Sequence, residues 1–174
     1  MIISMTQRLL LREATIEDSE FILKLVNQPA WHEFIGSHSI DSIENTNEYI
    51  QQKMLAMYQQ YGFGLWVVEK LEGKIQTGIC GLLKRDSLDV VDLGFAFLEN
   101  YWGQGFAFEA ARATLNYASN ELKRQKVVAI LNPLNIRSVK LLNKLGFHYE
   151  STYSHPGSDE VLSLYTKNMN NSNN

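Results

Sequence analysis

The sequence predicts an α/β protein in which a mixed, mostly antiparallel sheet of about seven strands is flanked by about four helices. Two apolar patterns lead to this prediction, because some segments repeat their apolar residues every three or four positions and others carry short continuous apolar runs. The two patterns alternate without a low-complexity linker or an internal repeat. We therefore expect a single domain over residues 1–174, with a core at about 6–168 and a polar, frayed tail at 169–174.

The first elements are predicted from an apolar run and a helix-start pattern. Residues 8–13 form a short apolar run of the kind found in strands. Thr15 and Asp18 then match a capping box, in which two side chains satisfy backbone N–H groups at a helix start. A first helix is expected from there to about Asn27, and Pro29 is expected to stop it.

A second helix and three strands are predicted next. The helix begins at the Asp-Ser pair 41–42 and ends near 61–62, where a glycine follows a tyrosine. Its apolar residues have helical spacing: Ile43, Ile50, Met54 and Met57. Three extended runs at 63–69, 75–83 and 88–98 are separated by short polar segments, which is typical of antiparallel strands.

The C-terminal half alternates helices and strands. Apolar residues three or four apart predict a helix after Gly105: Ala111, Leu115, Ala118 and Leu122. A short apolar strand at 127–131 precedes a helix at 135–145, which should end at the glycine that follows it. The last two strands, 147–153 and 161–167, are expected to form a hairpin.

Composition excludes several classes of function. The formal charge of -3 disfavours a general basic surface, so no nucleic-acid partner is expected. No window approaches the ~18–20 apolar residues of a membrane span, and we expect a cytoplasmic protein without a membrane partner. Cys80 is the single cysteine, which excludes an intramolecular disulfide. The four histidines lack ligand spacing, so no metal is expected: His32, His38, His148 and His155.

The segment from Trp102 to Ala107, Trp-Gly-Gln-Gly-Phe-Ala, is the first candidate binding motif. It lies between a predicted strand and a predicted helix, where unpaired backbone N–H groups and the helix dipole can receive a phosphate. Gly103 and Gly105 would let the backbone approach that ligand closely, although two such glycines can also simply form a tight turn. Phe108 replaces the third glycine of a dinucleotide fingerprint, and no Gly-Lys-Ser/Thr follows for a P-loop.

A second motif follows about thirty residues later, as a strand, a loop, a helix, a glycine and a strand. It contains Asn-x-x-Ser, as Asn135 and Ser138, and ends in the Leu-Gly-Phe of residues 145–147. With both motifs in this order, the sequence resembles the GNAT superfamily of acetyltransferases, and in particular the RimJ/RimL type. Glu109-Ala110 after the glycine segment and the opening Arg8-Leu-Leu-Leu-Arg12 also match, so the resemblance covers about residues 6–168.

The resemblance implies an N-acetyltransferase that uses acetyl-CoA and acts by direct attack of a primary amine, on a protein N-terminus or a small molecule. The pyrophosphate would bind backbone amides of the glycine segment: Gly103, Gln104, Gly105, Phe106 and Ala107. The pantetheine arm would lie along a strand at Ala96, Phe97 and Leu98. Asn135 would hydrogen-bond the pantetheine or hold its loop, and its alternative role is a helix cap.

Two residues are candidates for proton transfer. Side-chain alternation places Asp92, Gly94 and Ala96 on one face of the third strand, with room for a ligand beside the carboxylate. The resemblance implies that Asp92 is the general base, and a solvated carboxylate on the strand is the alternative. Leu142 stands where many superfamily members carry a tyrosine, so the general acid would be Ser138, with Tyr149 and Tyr153 of the following strand as reserves. Ser138 could instead bond to the backbone.

The missing tyrosine keeps a second interpretation open, a non-catalytic CoA-binding sensor or interaction module on the same fold. The first two helices would roof the acceptor side, where Trp31, Phe34 and Trp66 could line a pocket or belong to the core. The amine acceptor, the acyl length and the choice between a monomer and a homodimer are not decided by the sequence.

Overall fold

A computed structural model describes residues 1–36 and 40–169. Within them the chain forms one eight-stranded sheet in the order β1-β2-β3-β4-β5-β6-β8-β7. Neighbouring strands are antiparallel except β5 and β6, which run parallel. The strands are β1 (Ile2–Met5), β2 (Leu9–Arg12), β3 (Leu65–Lys70), β4 (Ile75–Leu83), β5 (Val91–Phe97), β6 (Lys126–Leu131), β7 (His148–Tyr153) and β8 (Leu162–Asn168). The predicted mixed, mostly antiparallel α/β fold is confirmed.

The eighth strand, β1, was not predicted. It pairs with β2 at the edge of the sheet, and Ile2 and Met5 are 62% and 63% exposed. A four-residue edge strand with outward apolar side chains shows no apolar alternation, so the sequence pattern does not reveal it.

The described residues form six α-helices. They are α1 (Ser19–Val26), α2 (Pro29–Phe34), α3 (Ile43–Tyr49), α4 (Ala56–Tyr61), α5 (Phe106–Asn120) and α6 (Ile136–Lys144). A wider π-type turn at Ile50–Leu55 joins α3 to α4, so the single helix predicted at 41–62 is present in three parts. Pro29 was predicted only to stop the preceding helix. It also begins α2, because the first position of a helix tolerates a residue without a backbone N–H.

Apolar clusters cover both faces of the sheet. On one face, α5 and α6 pack against a cluster that includes Trp66 and Cys80. On the other, α1 to α4 pack against a cluster that includes Val67 and Ile79. Neighbouring residues of β3 and β4 thus point to opposite cores, as strand alternation requires. Trp66 is fully buried in the first core and is absent from the cavity described below, so it does not line the acceptor pocket that we considered for it.

The parallel strands β5 and β6 pair briefly and then separate, and we call the place where they separate the fork. The candidate site lies in this fork. The two strands pair only at Val91 with Val127 and at Asp92 with Val128. Beyond these residues β5 continues beside β4 while β6 continues beside β8, and a gap opens between them. The strand predicted from residue 88 begins at Val91, because the preceding residues turn back on themselves, with Leu88 N–H donating to Arg85 O.

None of the helices in the described part of the chain is long and apolar enough to cross a membrane. The frayed tail expected at 169–174 lies, from residue 170 on, outside the described residues, as does His38.

Candidate active site

The fork opens into a cavity of about 190 Å³. This is the liquid volume of about six waters, enough for an acetyl group and a small amine but not for a nucleotide cofactor. Its lining comes from α2, β3, β4, the β4–β5 connection, β5, β6, α6, the β7–β8 loop and β8. Four predicted site residues line it: Asp92, Ala96, Asn135 and Ser138. The two predicted catalytic residues therefore face one cavity.

Asp92 lies at the apex of the fork. Its Oδ1 accepts a hydrogen bond from Ile130 N–H at 3.2 Å, where β6 has begun to leave β5. Its Oδ2 accepts one from Arg85 Nε at 2.5 Å. Burial raises the pKa of the Asp92 carboxyl, and the charge of Arg85 opposes this rise. Asp92 therefore combines the direction of pKa shift that suits a general base with a structural role, because it bridges two strands where their pairing ends.

The backbone of β5 beyond Asp92 faces the fork at alternate residues. Leu98 N–H donates to Thr77 O at 2.9 Å, on the β4 side. Leu98 C=O accepts a bond from Tyr101 N–H at 2.9 Å. Because an antiparallel ladder alternates, the N–H groups of Phe95 and Phe97 point to the opposite side, into the fork. Phe95 and Phe97 are thus placed to bond a ligand there, whereas both backbone groups of Leu98 bond within the protein.

Asn135 and Ser138 lie at the start of α6. The Asn135 Oδ1 accepts a hydrogen bond from Ser138 N–H at 3.1 Å, so Asn135 is the N-cap of this helix. The Ser138 hydroxyl has no hydrogen-bond partner among the described residues, although the side chain lines the cavity. Leu142, one turn further along, is fully buried. Ser138 is therefore the hydroxyl group that α6 offers to the cavity.

The glycine segment lies outside the cavity, at the start of α5. Gly103 and Gly105 have φ of 71° and 81°, the left-handed conformation that glycine adopts without strain. No atom lies within 4 Å of the Cβ that a side chain would add at Gly103. Gly105 is the N-cap of α5, so the first N–H groups of that helix lack intrahelical partners. This exposed turn offers an anion unpaired donors on an open surface.

Three side chains hold the start of α5 in place. Arg8 donates from Nη1 to Gln104 O at 3.0 Å, and its guanidinium lies 4.6 Å from the centre of the Phe106 ring. Its Nε donates to Glu109 Oε2 at 2.7 Å. Thr6 Oγ1 donates to Glu109 Oε1 at 2.6 Å. Arg8 and Glu109 are matched by the sequence motifs, but their pairing across a hundred residues shows only in the structure.

Trp102 connects the glycine segment to both walls of the fork. Its Nε1 donates to Phe97 O at 2.8 Å, at the end of β5. The Arg137 guanidinium, on α6, lies 4.4 Å from the centre of the Trp102 ring. Trp102 therefore joins the end of β5 to the helix that carries Ser138.

The outer end of the cavity contains residues that the sequence did not assign to a site. Arg85 comes from the β4–β5 connection, and His155 and Glu160 come from the β7–β8 loop. Trp31 and Phe34 of α2, predicted as possible pocket residues, line it as well. Nothing in the local sequence marks the three loop residues, because they meet only after distant strands have paired.

No group of histidine, cysteine, aspartate and glutamate side chains in the part of the chain that the structure describes could hold a metal ion. Cys80 is fully buried, with its sulfur 3.4 Å from Thr114 Oγ1, and burial raises the pKa of its thiol to about 12. The thiol is therefore part of the apolar core.

The sheet thus forks beside the start of a helix, and a small cavity lined by ionisable groups lies in the fork. The sequence profile of the Acetyltransferase (GNAT) domain matches residues 8–148. The chain belongs to the GNAT acetyltransferase family.

Relatives and a solved structure agree with this assignment. The chain is 36% identical over 94 residues to the uncharacterized protein YkkB of Bacillus subtilis, a match that spans 53% of this chain and only 55% of YkkB. It is 27% identical over 147 residues to the uncharacterized N-acetyltransferase p20 of Bacillus licheniformis, covering 83% of this chain and 82% of p20. RimL, a ribosomal L7/L12 alpha-N-protein acetyltransferase solved with coenzyme A, superposes with a TM-score of 0.78 at 18% identity, over 97% of this chain and 98% of RimL, which shows the shared fold.

Proposed function

We propose that this protein transfers the acetyl group of acetyl-CoA to a primary amine, and that the fork between β5 and β6 is where the transfer occurs. The observation that supports this most directly is the fork itself. It leaves the backbone N–H groups of Phe95 and Phe97 on the side of β5 away from β4, beside a cavity lined by Phe95, Asp92 and Ser138. A peptide-like pantetheine arm can use such groups as a further strand would.

The phosphates fit the start of α5. Gly103, Gln104 and Gly105 are exposed, and the first N–H groups of the helix lack partners. A Cβ at Gly103 would meet nothing, so a ligand can rest on the main chain there. We propose that the backbone from Gly103 to Ala107 holds the pyrophosphate, with Phe106 buried beneath it.

The pantetheine arm is proposed to follow β5 through the fork. Phe95 and Ala96 line the cavity, and ladder alternation turns the N–H groups of Phe95 and Phe97 away from β4, to the fork side of β5. Leu98 is not kept in this proposal, because its N–H and C=O both bond within the protein. Asn135 uses its carbonyl oxygen as a helix cap, so only its amide NH₂ is left for the pantetheine.

Bound acetyl-CoA supplies an activated acetyl group as a thioester. Asp92 is proposed to take the proton that the acceptor nitrogen loses as the C–N bond forms, since burial raises the pKa of its carboxyl. Ser138 is proposed to donate to the departing sulfur, since its hydroxyl lines the cavity without a bond to the described residues. A backbone N–H in the fork, that of Phe95 or Phe97, would bond the carbonyl oxygen.

The acceptor class rests on comparison. RimL is by its name an alpha-N-protein acetyltransferase, so the shared fold can serve a protein N-terminus. A cavity of about 190 Å³ also accommodates a small amine. We further propose one acetyltransferase domain over residues 1–174, located in the cytoplasm, as a monomer or a homodimer.

The test measures binding and turnover separately. Acetyl-CoA at about 100 times its Kd should stabilise the fold by about 2.7 kcal/mol, and a thermal melt detects this. Turnover is followed as thiol release with a panel of primary amines and peptides with unblocked N-termini. Asp92→Asn should lower kcat by roughly 100-fold, and Asp89→Asn, an exposed neighbour, should not. Absence of any acetyl-CoA stabilisation contradicts the proposal.

A second candidate function is a CoA-binding module without catalysis. Leu142, fully buried where many superfamily members carry a phenol, is the observation that favours it. Stabilisation by acetyl-CoA without acetyl transfer to any acceptor would select this alternative.

A further inference from the structure

The β7–β8 loop brings two ionisable side chains to the outer end of the cavity. His155 is partly buried and Glu160 is exposed, and both line the cavity. Asp92, at 1% exposure, lies at the buried end of the same cavity. The mechanism proposed above uses neither residue.

The imidazole of His155 is oriented by its neighbours. Its Nδ1 lies 3.3 Å from the Tyr153 hydroxyl, and the two rings meet edge to face with centroids 5.0 Å apart. The Tyr153 hydroxyl is in turn 2.6 Å from Ser87 Oγ, on the β4–β5 connection. When Nδ1–H donates to the Tyr153 oxygen, Nε2 has its lone pair available to accept a proton.

The charges around His155 favour a neutral ring. Burial lowers the pKa of the imidazole, the positive charge of Arg85 lowers it further, and the negative charge of Glu160 opposes both. Arg85 is itself bound to Asp92 at 2.5 Å. Glu160 makes no ion pair with another described residue, so its carboxylate is available to a cation.

We propose that His155 is the group that deprotonates the incoming ammonium and that Glu160 binds that ammonium first, so the acceptor is a cationic primary amine. This inference rests on the proposed acetyl transfer. It assigns two protons to two groups, because an ammonium must lose one proton before attack and a second as the amide forms. His155 takes the first at the opening, and Asp92 takes the second at the apex.

The reaction then balances. His155 Nε2 removes one proton from R–NH₃⁺ and passes it to solvent. The free amine forms a C–N bond to the acetyl carbon, and the C–S bond breaks. The departing sulfur takes a proton from the Ser138 hydroxyl. Asp92 accepts the second amine proton and returns it to Ser138. The products are R–NH–COCH₃, CoA–SH and one proton.

The first experiment is an activity profile against pH, with 2-phenylethylamine and with a hexapeptide that has an unblocked N-terminus. The logarithm of kcat/KM should rise with pH through the His155 titration in the wild type. His155→Gln should lose this rising part of the pH profile, which we call its acid limb, and should lower kcat/KM at neutral pH on the order of 100-fold. His148→Gln, an exposed histidine outside the cavity, should keep the limb. A limb that is unchanged in His155→Gln overturns the proposal.

Glu160→Gln tests the binding part. It should raise the acceptor KM by about tenfold with little change in kcat, whereas Asp159→Asn, next in sequence but outside the cavity lining, should change neither. An unchanged KM in Glu160→Gln contradicts the role given to that carboxylate.

Nuclear magnetic resonance of the imidazole nitrogens gives a readout independent of turnover. In the CoA-bound protein, His155 should titrate below the ordinary histidine pKa of about 6.5, and either amine should shift its signal. An ordinary or raised pKa, or a His155 signal that neither amine shifts, overturns the proposal even if neither probe is acetylated. Loss of acetyl-CoA stabilisation would instead count against the acetyl transfer itself.

Discussion

Among single residues, Asp18 carries the densest set of polar contacts. Its carboxylate accepts hydrogen bonds from Arg12 at 2.7 Å, Thr15 N–H at 2.7 Å and Gln76 at 2.6 Å. The side chain is 2% exposed, so water cannot replace a lost partner. The capping box predicted from Thr15 and Asp18 is confirmed, and Arg12 and Gln76 extend it to two strands of the sheet.

Asp18→Asn is expected to destabilise the fold by about 2–4 kcal/mol, because it removes the buried one of the two carboxylates that pair with Arg12 and leaves only Glu69. Urea unfolding at pH 7 measures this loss, with the exposed Glu17→Gln as the control.

Burial alone would raise the pKa of Asp18, but Arg12 and Thr15 N–H lower it overall. The wild type should therefore keep this stability above the ordinary pKa of about 3.9 and lose it as the pH falls through the folded value, and Asp18→Asn should flatten that dependence.

Gly105 allows a prediction about the cofactor. Gly105→Ala should weaken acetyl-CoA binding at least tenfold, because φ of 81° strains an L-residue and the new Cβ would lie 3.3 Å from Arg8 Nη2. Gly62→Ala is the matched control, since Gly62 has φ of 75° at the end of α4, about forty residues before the glycine segment. Both variants should lose about 1 kcal/mol of stability. Calorimetric titration with equal acetyl-CoA affinity in both would place the phosphates elsewhere.

Site residues differ in how far the sequence could predict them. Asn135 and Ser138 belong to a short motif, Asp92 was predicted from strand alternation and the family resemblance, and the structure places all three at one cavity. Arg85, His155 and Glu160 could not be predicted, because loop residues carry no periodicity and meet only through tertiary pairing. Their roles therefore follow from contacts rather than from sequence patterns.

At the scale of elements, the start of α5 is fixed from outside the helix. The turn between β1 and β2 supplies Thr6 and Arg8, and both bond Glu109. Arg8 also bonds Gln104 O, within the turn proposed to hold the pyrophosphate. The N-terminal edge of the sheet thus sets the position of a binding surface that follows a hundred residues later.

Arg8→Gln should therefore raise the KM for acetyl-CoA several-fold while leaving kcat nearly unchanged, because the cavity itself is not altered. Steady-state kinetics separates the two constants. Lys126→Gln removes an ordinary exposed ion pair with Glu150 and should change neither. Equal effects of the two substitutions on KM would show that Arg8 does not organise the turn.

Strand and helix identities were predicted well where the apolar pattern is long. The helix of α5 and the strands β3 and β4 lie within a few residues of their predicted positions. The fork was not visible in residue patterns, because β5 and β6 read as ordinary apolar strands and only their partners, β4 and β8, draw them apart. The short elements β1 and α2 were missed because four to six residues do not establish a period.

For the molecule as a whole, the two cores isolate its single thiol. Cys80 is fully buried in the sheet, and burial raises the pKa of its thiol to about 12. A thiolate is the reactive form, so reagents should reach it only when the sheet opens.

Labelling of Cys80 by an aromatic disulfide reagent should be very slow in the native protein and should accelerate with urea in parallel with global unfolding. Saturating acetyl-CoA should slow it further. Ser151→Cys in a Cys80→Ala background is the control, because Ser151 is exposed and should react at once. Fast labelling of native Cys80, with no dependence on urea, would show that the sheet opens locally at β4.

The strand order also bears on how the protein is made. Numbered along the chain, the strands lie in the order in which a ribosome delivers them, except that β8 lies between β6 and β7. Each strand from β2 to β6 can therefore join an edge that already exists, and little of the sheet must wait for a distant partner. The exception falls at the end, where β8 must slide in beside β6 and carry the β7–β8 loop over the fork. Of the described strands, β8 is thus the last along the chain on which both the pairing of β6 and the lining of the cavity depend.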